Sequence, residues 1–292
     1  MAAGVTEGAD LGVGVSVGVV GLGNIGAAMA ARLVGWPGGL TVYDVRPEAM
    51  QPLVNDGARA ATDLAELAST ASVVSVVVLD DAQVRQVVGD LIKLLRPGGV
   101  VAIHSTIDVE TAPELAAAGA EVGVHVLDVP VSGGAIGAAE GRLAAMVGGD
   151  RDAYELAKPV FSRWAELIVH LGPAGAGTRT KLARMLLTFV GFAAAGEAQR
   201  LADAAGVDLA KLAAVVRHSD AITGGPAAVM IRRSAAPYAA DDPLRPIFEH
   251  SRGLGEKDLS LAIALGDALG VELPFARLGL ASLAEALGVP HE

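Results

Sequence analysis

The chain contains no cysteine, few aromatic residues and no excess of positive charge. Without cysteine it forms no disulfide and has neither a thiolate metal site nor a thiol nucleophile, an absence that also fits the cytoplasmic location we predict. Aromatic residues make up 3% of 292 residues, so the core must be built from aliphatic side chains and alanine. The formal net charge of −11 argues against a nucleic-acid-binding surface, which needs a basic face.

Long apolar segments and metal-ligand patterns are also missing. The valine-rich run at 73–79 is far shorter than the roughly 20 residues of a membrane-spanning helix. Residues 1–14 have neither a basic start nor a long apolar run, and we interpret them as a flexible extension rather than a signal peptide. The histidines lack metal-ligand spacing, and no acid cluster supports a divalent ion. We therefore predict no membrane contact and no metal.

What the chain does have is a strand–turn–helix–strand pattern over residues 15–46. A branched apolar run ends in Gly21, Gly23 and Gly26, which have G-x-G-x-x-G spacing. In this pattern the first glycine allows a tight turn, the second lets backbone N–H groups approach a pyrophosphate, and the third lets the helix pack on the strand. Asp44 ends the next strand, where a carboxylate accepts hydrogen bonds from ribose hydroxyls. The conjunction predicts a dinucleotide-binding site.

Strands and helices alternate as far as Gly172. The predicted strands are 15–20, 40–43, 58–60, 73–79, 100–104, 122–126, 143–147 and 167–171. The predicted helices are 27–34, 47–55, 62–68 with Thr62 as its cap, 82–95 with Asp80 or Asp81 as its cap, 110–118 and 152–164. This alternation predicts an α/β fold with a Rossmann-type, doubly wound parallel sheet over residues 15–172, whose ligands bind at the carboxyl ends of the strands.

Beyond Gly172 the pattern is helical, which predicts an all-α domain over residues 173–292 for substrate binding and dimerisation. The predicted helices are 178–205, 209–218, 224–233, 257–270 and 275–287. The first of them has more apolar residues than a helix can bury through one face in a domain this small. Burial against a second subunit resolves this, so we predict a homodimer or a higher homo-oligomer.

Three clusters are candidates for chemistry. Lys181 begins the first helix after a glycine-rich turn, and a desolvated lysine can act as a general acid or base; on spacing alone, a surface lysine is the favoured interpretation. Ser132-Gly133-Gly134 follows a strand and forms either a carboxylate-binding loop or an ordinary turn. Ser105 and Thr106 also follow a strand, and their hydroxyls either contact the cofactor or substrate or cap the next helix.

These elements, in this order, resemble the β-hydroxyacid dehydrogenase family over nearly the whole chain, from about residue 15 to residue 287. The matching segments are GLGNIGAAMA at 21–30 (with Asn24 and Ile25), VLDD at 78–81 (with Leu79 and Asp80), HST at 104–106, DVPVSGG at 128–134, GRLAAMVGG at 141–149, GAGTRTK at 175–181 and EKDLSLA at 256–262. In that family the first three segments bind the cofactor, the next two bind the substrate, and the next contains the catalytic lysine. The last contains a lysine that approaches the nicotinamide.

The resemblance implies that Lys181 is catalytic, that Ser132, Gly133 and Gly134 hold the substrate, and that Lys257 approaches the nicotinamide. Without the resemblance, Lys257 and its neighbour Asp258 would be interpreted as an exposed charge pair.

One departure concerns the substrate. The family usually has asparagines three and four residues after the catalytic lysine, where this chain has Arg184 and Met185. Arg184 offers a carboxylate a fixed cationic fork, whereas Met185 cannot replace the hydrogen bonds of an amide.

We therefore expect a nicotinamide-dependent oxidoreductase acting on a small carboxylate-bearing 3-hydroxy acid or its semialdehyde. Asp44 suits the free ribose diol of NAD, whereas Arg46 can accommodate the additional phosphate of NADP. Two alternatives remain open: a cofactor-binding sensor without turnover, and a reductase of imines or other non-acid carbonyls.

Overall fold

The computed structural model describes residues 14–232 and 234–291. The predicted extension at residues 1–14 therefore lies outside the described residues, except for Gly14. The chain divides into two compact units, Met1–Met185 and Leu186–Glu292, which we call the first unit and the helical unit. The predicted domain boundary near Gly172 stays a prediction.

The first unit alternates strands and helices. Its strands are Val17–Val20 (β1), Leu40–Tyr43 (β2), Arg59–Ala60 (β3), Val73–Val76 (β4), Val100–Ile103 (β5), His125–Asp128 (β6), Val131–Ser132 (β7), Leu143–Gly148 (β8) and Ala165–Gly172 (β9). Its helices are Asn24–Ala31 (α1), Pro47–Asn55 (α2), Leu64–Thr70 (α3), Asp81–Leu94 (α4), Thr111–Ala120 (α5), Gly134–Glu140 (α6) and Arg151–Phe161 (α7). A long helix, Ala176–Ala204 (α8), begins in the first unit and ends in the helical unit.

The strands form one sheet in the order β3-β2-β1-β4-β5-β6-β8-β7, and β9 pairs with β8. β1 to β6 pair in parallel, as the alternation predicts, whereas β8 runs antiparallel to β6 and β7. The chain winds outward from β1 in both directions, so the carboxyl ends of β1, β2 and β4 flank the point where the winding reverses. Ligands of doubly wound sheets bind at this point.

Helices cover both faces of this sheet, and the strands that they cover are apolar and branched. β1, β4 and β5 are buried along their whole lengths, as is typical of parallel strands with helices on both sides. The largest fully buried side chains are Trp164 and Phe161, beside β9 and at the end of α7. The first unit therefore has a dense core of its own.

Several predicted boundaries are wrong for identifiable reasons. α1 begins at Asn24 rather than at residue 27, because the glycine turn leads directly into the helix. Asp63, not Thr62, caps α3 by accepting a hydrogen bond from the Glu66 N–H. β6 begins only at His125, since Gly123 has a φ of +74° and belongs to the preceding turn.

The helical unit continues α8 with Leu209–Thr223 (α9), Arg245–Leu269 (α10) and Pro274–Ala286 (α11). The predicted helix at 224–233 is wrong: a short 3₁₀ turn, Gly225–Val229, takes its place, and both its first residue and the preceding Gly224 have a positive φ. Residue 233 lies outside the described residues. Phe248, Leu287 and Val289 form the small buried cluster of this unit. Among the described helices, none combines the length and apolar character needed to cross a membrane.

Candidate active site

A cavity of about 860 Å³ opens at the carboxyl ends of β1, β2 and β4. The predicted cofactor residues that line it are Gly21, Gly23, Asn24, Ile25, Gly26, Asp44, Arg46 and Leu79. Sequence reasoning missed the other lining side chains, chiefly Val45, Leu64, Gln83, Gln86 and Val87. The apolar surfaces of Val45, Leu64 and Val87 suit the flat faces of a nucleotide base. No motif marks these residues, because they come from the loop after β2, from α3 and from α4.

The glycines of the turn fit a dinucleotide for separate reasons. Gly21 has a φ of +88°, and a Cβ there would collide with the carbonyl of Val77. A Cβ on Gly26 would collide with the carbonyl of Gly21, so this glycine allows α1 to approach β1. A Cβ on Gly23 would meet no atom within 4 Å, so this position borders open space at the start of α1. The first N–H groups of a helix have no partner within it, and this arrangement can bind a pyrophosphate.

Asp44 connects this turn to the end of β2. Its Oδ2 accepts a hydrogen bond from the Leu22 N–H at 2.7 Å, and its Oδ1 accepts from the Arg46 backbone N–H at 2.9 Å and from Nε at 3.2 Å. Burial alone would raise the pKa of Asp44, but these N–H groups and the Arg46 guanidinium outweigh it, so the net pKa is lowered. Asp44 is therefore a fixed negative charge at the edge of the cavity.

The second and third predicted cofactor loops are tied to each other. The Ser105 hydroxyl donates to the carbonyl of Val78 at 2.6 Å and accepts from the Val78 N–H at 3.1 Å. Asp80 caps α4 by accepting from the Gln83 N–H at 2.8 Å, while Thr106 is exposed. Ser105 and Asp80 thus hold the loops in place, and direct contact of Ser105, Asp80 and Thr106 with a cofactor stays a prediction.

His104 is buried behind these loops and was not singled out as a functional residue from the sequence. Its Nδ1 lies 2.8 Å from the carbonyl of Val129 and its Nε2 lies 3.0 Å from the hydroxyl of Ser75. Since a carbonyl only accepts, Nδ1 carries the proton and Nε2 accepts from the serine. Burial lowers the pKa of His104 to about 4, so the ring is neutral at physiological pH and fixes the chain directly after β6.

Lys181 lies in the second turn of α8, and its Nζ donates to the carbonyl of Val131 at 2.7 Å. This carbonyl directly precedes Ser132, so the structure brings the amine and the predicted substrate loop together. The pKa of Lys181 is lowered, first by burial and then by the positive charge of Arg184. A lysine in such surroundings releases its proton more readily than one in water.

Ser132, Gly133 and Gly134 form a tight turn from β7 into α6. Gly133 has a φ of +130° and Gly134 a φ of +65°, and a Cβ on Gly133 would stand 2.9 Å from Cδ2 of Leu143. The turn therefore requires its glycines, whether or not it binds a carboxylate. β7 and α6 were not predicted, because two residues of strand and seven of helix leave too short a pattern.

Asp128, the first residue of the same sequence segment, is fully buried. Its Oδ1 accepts from the Gly175 N–H at 2.8 Å and its Oδ2 accepts from the Thr178 N–H at 2.6 Å. Sequence reasoning assigned it no role of its own, and the only indication was its position at the end of a strand. Its partners lie about 50 residues further along the chain.

Two further predicted site residues are Arg184 and Lys257. Arg184 is exposed on α8, within the first unit and one turn beyond Lys181. Lys257 lies on α10 in the helical unit, where it pairs with Asp258 at 3.2 Å and is largely exposed. Its approach to a nicotinamide stays a prediction. In the described parts of the chain, no group of three or more His, Asp or Glu side chains could hold a metal ion.

Two family models match the chain. The NAD-binding domain of 6-phosphogluconate dehydrogenase matches residues 16–172, and the NAD-binding domain of NADP-dependent 3-hydroxyisobutyrate dehydrogenase matches residues 175–289.

Curated relatives and a solved structure cover almost the same length. An uncharacterized oxidoreductase of Mycobacterium tuberculosis is 56% identical over 278 residues, which are 94% of each chain. The NAD-dependent L-serine dehydrogenase of Pseudomonas aeruginosa is 34% identical over 268 residues, which are 89% of this chain and 88% of that one. The crystal structure of a putative oxidoreductase from Mycobacterium avium has a TM-score of 0.91 at 55% identity, and the match covers 95% of this chain and all of that one.

Proposed function

This chain belongs to the β-hydroxyacid dehydrogenase family of nicotinamide-dependent oxidoreductases, and we propose that its substrate is a small 3-hydroxy acid or the matching semialdehyde. The observation that supports this most is the contact between Lys181 Nζ and the carbonyl of Val131 at 2.7 Å. It places a half-buried amine of lowered pKa beside the Ser132-Gly133-Gly134 turn. A proton-transferring group thus lies next to a loop with carboxylate-binding chemistry.

In the oxidative direction, neutral Lys181 takes the proton of the substrate hydroxyl as the carbinol carbon becomes a carbonyl. A nicotinamide bound at the glycine turn would supply the two-electron chemistry, the exchange of a hydride with this carbon. In the reductive direction, the Lys181 ammonium protonates the forming alkoxide. The carbonyl of Val131 accepts an N–H of this nitrogen in both protonation states, so the nitrogen keeps its position while a proton moves.

We assign the substrate carboxylate to the Ser132 hydroxyl and the backbone N–H groups of Gly133 and Gly134. Backbone N–H groups in such turns form concave anion sites. Arg184 lies on the same helix as Lys181 and adds positive charge close to it. Met185 supplies no hydrogen bond, so we propose that this chain favours a substrate other than those recognised by the family's usual asparagine pair.

We further propose NAD rather than NADP as the cofactor. Asp44 is a fixed negative charge that would repel a 2′-phosphate, and its carboxylate suits a free ribose diol. Arg46, a cation that lines the cavity, is paired with Asp44. Titration of the protein with each reduced cofactor tests this choice, and tighter binding of NADPH than of NADH would contradict it.

The decisive test is Lys181→Met, assayed by nicotinamide absorbance against a panel of 3-hydroxy acids, semialdehydes and imines. Removal of a general acid or base costs on the order of 100- to 10,000-fold in rate. We expect a loss of this size in kcat, with the dissociation constant for NADH unchanged. Lys158→Met, which removes an exposed lysine on α7, serves as the matched control and should keep full activity.

The outcomes separate the alternatives. Full activity of Lys181→Met would refute the assignment of this lysine. Turnover of imines alone would identify the chain as an imine reductase, and saturable NADH binding without turnover of any compound would favour a cofactor sensor.

For assembly we propose a homodimer formed through the helical unit. Phe189 and Phe192 of α8 pack edge to face with ring centroids 5.8 Å apart, and both are more than half exposed. α9 has no buried residue within the described chain, although Val215 and Ile222 lie on it. Apolar surface of this extent is typical of an interaction site, and closed symmetric dimers are the commonest way to cover it.

A further inference from the structure

We propose that Asp128 is a positioning residue: its carboxylate holds the first turn of α8 against the end of β6 and thereby sets where the Lys181 amine lies beside Ser132. The inference rests on the proposed function, because it assigns Asp128 a role toward Lys181 as the proton-transferring group. Within the DVPVSGG segment, Asp128 at the first position thus positions the helix. The serine and glycines at the other end of the segment are the residues we assign to substrate binding.

Asp128 caps α8 from another element. Gly175 directly precedes this helix and has no side chain, so the helix cannot supply a cap from this position itself. The two carboxylate oxygens of Asp128 serve as the cap instead: one accepts a hydrogen bond from the Gly175 N–H and the other from the Thr178 N–H. A carboxylate at a helix N-terminus satisfies N–H groups that lack intrahelical partners and stabilises the positive end of the helix dipole. This explains how a fully buried carboxylate is accommodated here without a cation within hydrogen-bonding distance among its described partners.

Two glycines beside the contact allow the start of α8 to lie close to the strands. Gly148 pairs with Asp128 across the sheet, and a Cβ on it would collide with Oδ1 of that carboxylate. A Cβ on Gly177 would collide with the carbonyl of Met146 and stand 2.6 Å from the carbonyl of Asp128. Two glycines therefore let the helix approach the strand closely, and the close approach is what brings the N–H groups within reach of the carboxylate.

The helix is attached to the same segment a second time by Lys181. This residue lies one turn beyond Thr178, and its Nζ donates to the carbonyl of Val131, three residues after Asp128. Residues 128–131 and the first turns of α8 are thus joined at two points. Loosening the first point would displace the second, and misplacement of a reacting group by about 1 Å costs roughly 100-fold in rate.

The test compares Asp128→Asn with the unchanged protein in the nicotinamide assay. The amide keeps one accepting oxygen but presents an NH₂ to the other N–H, so one of the two bonds is lost. We expect kcat to fall by about 10- to 100-fold, with NADH binding unchanged. Because a loosened helix would expose Lys181 to water, its pKa should rise toward the ordinary value, and the limb of the pH–kcat profile set by this lysine should move to higher pH.

Two further variants distinguish positioning from general damage. Gly148→Ala keeps the carboxylate, but its Cβ would crowd Oδ1 of Asp128 and would stand 2.8 Å from the backbone nitrogen of Gly177 and 2.9 Å from that of Ala176. It therefore displaces the start of α8 from the strand, and we expect the same fall in kcat and the same shift of the pH limb. Glu197→Gln is the matched control: Glu197 is also a buried carboxylate that caps a helix, accepting from the N–H groups of Phe275 at 2.7 Å and Ala276 at 3.0 Å at the start of α11. It should lower stability without moving the pH limb.

Unchanged kcat and an unchanged pH limb in Asp128→Asn would overturn the proposal, and so would an equal change in Glu197→Gln. If Asp128→Asn does not fold, Gly148→Ala decides by the same criteria. Lys181→Met is measured alongside. Full activity of that variant would refute the proposed function, whereas its inactivity together with a fully active Asp128→Asn would refute only the positioning role.

Discussion

The two units differ in how far they bury their large apolar side chains. In the first unit, Phe161 and Trp164 are fully buried, and β1, β4 and β5 are buried along their whole lengths. In the helical unit, Phe189 and Phe192 are more than half exposed, and the buried cluster among the described residues is small, with Phe248, Leu287 and Val289 as its members. Burial contributes about 25 cal/mol per Å² of apolar surface, so the first unit stabilises itself in a way the helical unit does not. The difference indicates that the helical unit is completed by a further surface, which supports the proposed dimer.

The chain offers separate probes for the two units. It has two tryptophans, Trp36 and Trp164, and both lie in the first unit. Tryptophan fluorescence therefore follows unfolding of the first unit, while far-ultraviolet circular dichroism is dominated by helices and follows α8 to α11 strongly. Two units need not unfold in one step, so both probes are required to compare their free energies of unfolding.

The largest expected effect comes from the same substitution made in each unit. Phe161→Ala empties a fully buried site and should lower the free energy of unfolding by about 3–5 kcal/mol, measured by fluorescence in urea. Phe192→Ala removes a ring that is 66% exposed and should leave this transition unchanged. If the helical unit forms the dimer, Phe192→Ala should instead weaken association in sedimentation experiments, and its effect should depend on protein concentration.

A large, concentration-independent loss of stability in Phe192→Ala would break the comparison, because it would show that this ring is buried within one subunit. Leu156→Ala, which removes an exposed apolar side chain of the first unit, is the control for exposure alone. It should hardly change the unfolding transition followed by either fluorescence or circular dichroism.

A smaller effect should come from pH acting on His104. Its pKa is about 4 in the folded protein, below the usual value of 6.5, because burial disfavours the charged ring. The unfolded chain therefore binds the proton first as pH falls, so the stability that this group contributes is complete above about pH 6.5 and is lost toward pH 4. We expect a loss of about 2 kcal/mol between about pH 7.5 and about pH 5 in the fluorescence transition.

His104→Gln should flatten this dependence, and His218→Gln, which changes an exposed histidine on α9, should not. Equal pH dependence in the unchanged protein and His104→Gln would contradict the assignment. The acidic groups whose pKa is lowered, Asp44, Glu66 and Asp81, titrate below their usual range, so they act mainly at the acidic end of this window or beneath it.

Local patterns predicted much of the first unit. The bounds of β2 and α2 match their predictions, since both are flanked by strong turn or helix-start residues. The glycine turn could be predicted because Gly21 and Gly26 avoid clashes and Gly23 borders open space, at a fixed spacing that Asp44 follows. The resemblance to a family then identified Lys181, which spacing alone would have assigned to the surface.

What the sequence did not predict depends on distant partners. The Asp128 carboxylate meets N–H groups 47 and 50 residues later, and no periodicity encodes such a pair. The structural role of His104 depends on hydrogen bonds with Ser75 and Val129, which are distant in the sequence. The apolar walls of the cavity likewise come together only after the sheet has formed.

The smallest expected effect compares one helix cap from each unit. Asp63 caps α3 by accepting from the Glu66 N–H at 2.8 Å, and Asp208 caps α9 by accepting from the Lys211 N–H at 3.0 Å. Replacing either aspartate by alanine should cost about 1 kcal/mol, because one helical N–H loses its partner.

The two losses should differ in where they are detected. α3 packs Leu67 and Ala68 into the core, so Asp63→Ala should lower the fluorescence transition of the whole first unit. α9 has no buried residue within the described chain, so Asp208→Ala should fray that helix and change only the dichroism. Serine at either position, which also caps a helix, should restore the loss. If Asp208→Ala lowered the fluorescence transition as much as Asp63→Ala, the stabilities of the two units would be coupled, and the contrast between them would not hold in solution.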